Sequence, residues 1–253
     1  MRISVSEWVL GDRPTALRRA VAAGFDAIEL DAIPGADTVA LREELASAGL
    51  SVPSMCWAWN SDAELGSPDR ASRARAQSYL RGALEQAHEL GADQIVVLPA
   101  CRNTPWQDEP RIRGFERAAS AIAEVLPDTP AGVGIALEGL RRVESFLMNT
   151  LDHSALMRSM IGMDDRVGLL ADWYHLVAEE VDPVEAMTRH ADAISLVHLA
   201  ATERGPLLAE SVGASDLTVQ LRTMPAVASY TIEYNVGDDD AALAASLAFA
   251  RSV

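Results

Sequence analysis

The sequence contains no lysine, and its 21 basic residues are all arginine. That absence excludes Schiff-base chemistry on a side-chain amine and the lysine-bearing phosphate loops of the Walker type. Positive charge is scarce altogether: the arginines face 37 Asp plus Glu, leaving a formal charge of -16 and an isoelectric point near 4.6. A chain of this sign repels phosphate backbones, so no nucleic acid is expected as a partner. Cysteine is nearly missing. Cys56 and Cys101 lack both the spacing of a metal motif and the density of a disulfide scaffold, and they read as buried free thiols. No apolar run approaches the roughly 20 residues of a membrane helix, and Met1 leads into Arg2-Ile3-Ser4-Val5-Ser6-Glu7 without the apolar stretch of a signal peptide. The expectation is therefore no membrane partner and a cytoplasmic location. A glycine-rich phosphate loop is absent after the first strand candidate, where Val9-Leu10-Gly11-Asp12-Arg13 stands instead, which argues against an open, doubly wound dinucleotide fold.

What is present is an ordinary globular composition, 49% hydrophobic and 23% charged over 253 residues, with a repeated strand and helix rhythm. Strand candidates run over Ile3 to Trp8, Ala27 to Leu30, Ser51 to Trp57, Gln94 to Leu98, Val133 to Leu137, Val167 to Ala171, Ala193 to His198 and Ser229 to Tyr234. Helical spacing marks Pro14 to Ala23, Thr38 to Ala48, Ser72 to Leu90, Gly114 to Val125, Ser154 to Ile161, Pro183 to His190 and Asp240 to Arg251, and the acidic run from Asp238 to Asp240 suits the start of the last of these. Beyond Asn60 lies a polar loop where a substrate lid can sit. Eight strands and about eight helices, with no linker or compositional break, predict an α/β fold of the (β/α)8 barrel type, one domain over residues 1–253.

In such a barrel, functional groups collect at the C-terminal strand ends. The last four strand candidates each end in one ionisable residue: Glu138, Asp172, His198 and Glu233. One charged strand end is commonplace; four in succession converge on one mouth as an oxygen-rich set with a single nitrogen, suited to Mn, Mg or Co and unlike a structural zinc site. His175, Glu144, Asn149, Glu203 and Arg204 follow these ends on segments read as loops. Glu144 can alternatively pair with Arg141. His88, His153 and His190 fall in or beside helices and read as structural, as do Glu29 and Asp31. Trp57, Trp59, Trp106 and Trp173 follow strand ends, where an aromatic ring either stacks on a sugar or closes a core.

The run from Leu137-Glu138 through Glu144 to Asn149-Thr150, Asp172-x-x-His175 followed by Glu179-Glu180, His198 through Arg204, and Ile232-Glu233 resembles the xylose isomerase-like barrel superfamily, within it the sugar phosphate isomerase/epimerase group that includes D-tagatose 3-epimerase-like enzymes. Ser67-Pro68-Asp69 through Tyr79-Leu80 to Glu89-Leu90-Gly91-Ala92 is similar to that group's third helix. The resemblance implies that Glu138, Asp172, His198 and Glu233 hold one divalent ion, Mn first, with Mg, Co or Zn as alternatives. It further implies that Glu138 and Glu233 act as an acid-base pair, and that Glu144, His175 and Arg204 meet the substrate. The implied activity is isomerisation or epimerisation of a sugar or sugar phosphate through an enediolate, with a hydroxypyruvate-type isomerase, a polyol dehydratase or a noncatalytic sugar- or partner-binding barrel as alternatives. The partner is then a small sugar, and a homo-oligomer is compatible with the sequence.

Overall fold

The computed structural model describes residues 2–57, 60, 62–106, 109–163, 165–224, 227, 229–237 and 239–252. Eight parallel strands, β1 (Arg2–Ser6), β2 (Ile28–Asp31), β3 (Ser54–Cys56), β4 (Gln94–Val97), β5 (Gly134–Glu138), β6 (Val167–Asp172), β7 (Ile194–Leu199) and β8 (Ser229–Ile232), pair in sequence order. The ring closes where Arg2 through Val5 of β1 pair with Ser229 through Ile232 of β8. Around them lie α1 (Arg13–Ala22), α2 (Thr38–Ala48), α3 (Arg70–Leu90), α4 (Arg111–Val125), α5 (Leu151–Ile161), α6 (Trp173–Glu179), α7 (Pro183–Arg189), α8 (Ala214–Thr223) and α9 (Asp240–Ser252). This is the expected (β/α)8 barrel. Among the described residues no helix is long and apolar enough to cross a membrane, and both Cys56 and Cys101 are buried free thiols.

Local chemistry places the helix ends. Asp12, Asp37 and Asp69 cap α1, α2 and α3 by accepting from the first free backbone amides, which supplies partners the helix cannot provide itself. Gly49 and Gly91 end α2 and α3 in the left-handed region, at φ 68° and 76°, where glycine carries no Cβ penalty.

Two helices escape the periodicity. The strand that carries Asp172 passes without a loop into α6, so His175 stands on a helix rather than on the loop expected for it. The second, α8, reads Ala-Ser-Asp-Leu-Thr-Val-Gln-Leu-Arg-Thr, and its buried face includes the polar Gln220 beside Leu217 and Leu221. With Thr and Val lowering helix propensity, tertiary packing rather than pattern decides that segment. The first strand is also shorter than expected, because Glu7–Val9 turns into a 3-10 helix. The segment past Asn60 is not the solvated loop it reads as: Ala63, Leu65 and Ser67 are buried, and the Glu64 carboxylate takes the amide of Cys101 at 2.9 Å and the indole of Trp106 at 3.0 Å. Of the acidic run proposed to start the last helix, Asp240 does so, and Asp238 lies outside the described residues.

The apolar core fills the shell between strands and helices. The barrel interior holds a separate small cluster, Cys56, Val96, Ala136, Leu170 and Leu196, and beneath it Ser195 Oγ donates to Gln94 Oε1 at 2.7 Å. A Cβ on Gly168 would stand 2.2 Å from that Ser195 oxygen and 2.7 Å from its Cβ. Gly168→Ala is therefore expected to cost about 1–3 kcal/mol through overpacking, read as a lower melting temperature, with part of the loss recovered in the Gly168→Ala, Ser195→Gly double variant.

Candidate active site

All four expected strand-end residues reach one point. Glu138, Asp172, His198 and Glu233 each offer a ligand atom, those atoms lie within 4.8 Å of one another, and every member is buried. The side-chain period of two explains the convergence: Glu138, Asp172 and His198 take the inward register at the C-terminal ends of β5, β6 and β7, Asp172 pairs directly with His198, and Glu233 follows β8 two residues beyond Thr231, the partner of His198.

Each has different partners. Asp172 Oδ1 caps α6, accepting from the amides of Tyr174 at 2.8 Å and His175 at 3.3 Å, which leaves Oδ2 buried with no hydrogen-bond partner. Glu233 is surrounded by donors: the Trp8 indole at 2.7 Å, Arg204 Nη2 at 3.0 Å and His198 Nδ1 at 3.1 Å. The other nitrogen of His198 faces Glu29 Oε2 at 3.3 Å, and that oxygen is within 2.6 Å of the donating Ser54 hydroxyl. Glu29, fully buried on β2, thus holds the imidazole from behind, so that Nδ1, which meets Glu233 at 3.1 Å, is the nitrogen that would turn to a metal. Glu29 had read as structural, and its inward register two residues before the strand end is the signal that marks it.

The electrostatics follow from these contacts. Burial would raise Glu233, but the charge and hydrogen bond of His198, then Arg204 and Trp8, hold it well below the usual carboxylate range. Burial and then the charge of Glu233 push Glu138 well up, and the same two causes push Asp172 up to about 7. His198 rises because Glu29 and Glu233 outweigh the burial that would lower it. An excess of buried negative charge, an orphaned carboxylate oxygen and one imidazole backed by a carboxylate together fit a divalent cation.

The three expected substrate contacts also line this mouth. His175 sits under the cluster, its Nε2 3.6 Å from Glu138 Oε1 and 3.5 Å from Asp172 Oδ2. Its Nδ1 accepts from the Arg141 amide at 3.4 Å, so the proton belongs on Nε2, aimed at the two carboxylates. Burial drives its pKa down to about 4, leaving a neutral donor at pH 7. Glu144 does not pair with the Arg141 side chain; its carboxylate lies 3.4 Å from His175 Nδ1 and 4.0 Å from Arg204 Nη1. The Arg204 guanidinium stacks between the rings of Trp8, at 5.1 Å, and Tyr174, at 4.8 Å. Its backbone is the sole non-glycine with positive φ among the described residues, at 54°, a conformation that costs on the order of 1 kcal/mol and persists where the surroundings impose it.

The remaining motif residues build the loops. Asn149 donates to the carbonyls of Leu140 at 2.8 Å and Ser145 at 2.7 Å, folding the segment that carries Glu144. Glu179 accepts from the Arg142 amide and Glu180 from the Leu151 amide. Trp57 lines the mouth together with Trp8 and Asp31, a cavity of about 670 Å³. Trp106 is wedged between Gly66 and Gly114, and Trp173 packs on Gly213, so both serve the core, while Trp59 lies outside the described residues. Asp31, which reads as structural in the sequence, and Trp8, which reads as part of the first strand, thus both line the mouth.

Residues 17–252 match the xylose isomerase-like TIM barrel family, and the chain belongs to it. An L-ribulose 3-epimerase from Mesorhizobium japonicum is 28% identical over 205 residues, spanning 78% of this chain and 68% of that protein. A 3-dehydro-D-guloside 4-epimerase of Escherichia coli is 29% identical over 194 residues, 72% of this chain and 71% of the relative. The solved structure of an L-ribulose 3-epimerase superposes with a TM-score of 0.88 at 25% identity, covering 99% of this chain and 93% of the other.

Because the folded protein raises Asp172 from 3.8 to about 7, it binds a proton there that the unfolded chain releases. The stability linked to that proton is complete below the unfolded pKa and is lost as pH rises through about 7. Without added metal, Asp172→Asn is expected to melt above the wild type at alkaline pH, with the difference shrinking toward acid pH. Added Mn is expected to reverse the order, because the variant replaces a carboxylate oxygen of the buried cluster by an amide nitrogen.

Proposed function

We propose that the protein is a divalent-metal-dependent epimerase or isomerase of a sugar, a ketose above all, that moves a proton next to a carbonyl. The observation that carries this reading is the buried set of Glu138, Asp172, His198 and Glu233, with ligand atoms within 4.8 Å, at the mouth of a barrel whose relatives include ketose and glycoside epimerases. These four residues would hold the ion, Mn in the first instance because one imidazole among carboxylates suits it. Bound there, a divalent ion supplies the positive charge that lowers the cost of an enediolate.

The chain's own residues supply the rest. Glu138 on β5 and Glu233 on β8 are the two outer members of the set, so a planar carbon between them meets one carboxyl on each face, as epimerisation requires. Their surroundings differ: the Trp8 indole and Arg204 donate to Glu233, while His175 Nε2 lies 3.6 Å from Glu138, so each carboxylate is oriented by its own donors and one can take a proton as the other returns one. His175 donates from Nε2 to an oxygen held near Glu138 and Asp172. Arg204, stacked between two aromatic rings, fixes the direction of the Glu233 carboxylate, and Glu144 accepts from a substrate hydroxyl.

Wild-type protein loaded with Mn is expected to exchange a ketose proton with deuterium from solvent and to form the epimer. Glu138→Gln and Glu233→Gln are each expected to reduce that exchange by about 10²–10⁴-fold, measured by proton NMR in deuterium oxide. Exchange without an epimer but with an aldose product assigns isomerisation. A protein that binds the ion yet exchanges no carbon-bound proton of any ketose contradicts the reading.

A further inference from the structure

The candidate ion ligands come from β5, β6, β7 and β8, one contiguous half of the mouth. The opposite half contributes Trp8, Asp31, Cys56, Trp57 and Leu98 to the same cavity. A ketose whose reacting carbons lie at the cluster has to extend its remaining carbons toward that half, where Asp31 is the one acidic residue among the lining side chains.

Its position is built rather than incidental. Glu7 and Arg13 form a two-pronged ion pair, both contacts at 2.8 Å, and the pair clamps the Asp31 backbone: the amide donates to Glu7 Oε2 at 2.8 Å and the carbonyl accepts from Arg13 Nη2 at 3.0 Å. Arg13 is thereby committed to Glu7 and to the carbonyl. The side chain of Asp31 is left facing the cavity, with no described residue donating a hydrogen bond to its carboxylate. Beside it stand the faces of Trp8 and Trp57, which suit the carbon-bound hydrogens of a sugar. The one arginine lining the cavity, Arg204, is already engaged by Glu233 at 3.0 Å and stacked between two rings.

We propose that Asp31 determines specificity at the end of the substrate remote from the reacting carbons: its carboxylate accepts hydrogen bonds from the distal hydroxyls, so the protein takes a neutral polyol chain and rejects a terminal phosphate or carboxylate. The inference rests on the reading above that a ketose is held at the cluster. Physically it follows from pairing. A neutral hydroxyl gives the carboxylate the donor it lacks, whereas a terminal anion brings like charge into a mouth where no described residue supplies a free cation.

The test uses the Mn-loaded protein with a free ketohexose, the same sugar phosphorylated at its terminal carbon, and Asp31→Ala and Asp31→Asn. Both variants retain the Glu7 and Arg13 clamp, which runs through the backbone. Asp31→Ala is expected to raise KM for the free sugar about tenfold or more with kcat changed less than about threefold, the pattern of lost binding to a remote group. Asp31→Asn, which keeps one acceptor oxygen and removes the charge, is expected to narrow the discrimination against the phosphate by about tenfold. An unchanged KM in Asp31→Ala, or unchanged discrimination in Asp31→Asn, overturns the proposal. A nonreacting six-carbon alditol, titrated against tryptophan fluorescence, separates the two readings. Binding that weakens in Asp31→Ala, in a protein that turns over no ketose, refutes the proposed function and leaves the role of Asp31 standing. Binding indifferent to Asp31 overturns that role even in an active enzyme.

Discussion

Glu29, Glu138, Asp172 and Glu233 are buried together at the mouth of this barrel, beside the imidazoles of His198 and His175 and the Arg204 guanidinium. Charges removed from water are tolerated only when paired or given hydrogen bonds, and the surrounding structure can be understood as the distribution of a few donors among these carboxylates. Glu233 receives three of them. Glu29 shares His198 and the Ser54 hydroxyl. Asp172 spends one oxygen on the first amides of α6 and keeps the other unpaired. Glu29 Oε1 and Asp172 Oδ2 are both left without a donor, and burial with the charge of Glu233 raises the pKa values of Glu138 and Asp172. A divalent cation at the same point resolves the imbalance, and the proton chemistry proposed for the pair depends on that placement.

The same donors carry structural consequences outward. Arg204 reaches Glu233 only because its loop takes a left-handed backbone, tied by the Arg204 amide to the Ala201 carbonyl and by the Asn235 amide to the Arg204 carbonyl. Trp8 and Tyr174 then hold the guanidinium flat between their rings. Asn149, Glu179 and Glu180 fix the turns that bring Glu144 to the rim. The proposed chemistry would thus be gathered in the half of the mouth built from β5 to β8, with the half built from β1 to β4 left to shape the rest of the proposed ligand.

Much of this is legible in the sequence, because period-two registers and strand ends are local signals. The eight strands, the barrel and the convergence of Glu138, Asp172, His198 and Glu233 follow from apolar runs that each stop at one ionisable residue. The parts that escape are those set by long-range contacts. Glu29 looks like an ordinary strand residue until β7 brings His198 against it, 169 positions away. Trp8 lies within the 3-10 turn Glu7–Val9 and reveals its part only when β8 closes on β1 and its indole meets Glu233 across 225 positions. Helix α6 starts directly at the end of β6, with Asp172 as its cap and no turn residue to mark it off from the strand, and α8 is written in residues of modest helix propensity. Asp31 ends β2 as an ionisable residue, but the clamp of Glu7 and Arg13 that presents it exists only in the folded chain.

The most direct test of the charge argument is calorimetric titration of Mn into the protein near pH 6.5, in two buffers of different ionisation enthalpy. The account predicts one ion per chain and net release of protons on binding, with less release in Asp172→Asn, because the ion displaces protons that the buried carboxylates otherwise hold. Binding without proton release, or no binding at the barrel mouth, would contradict it.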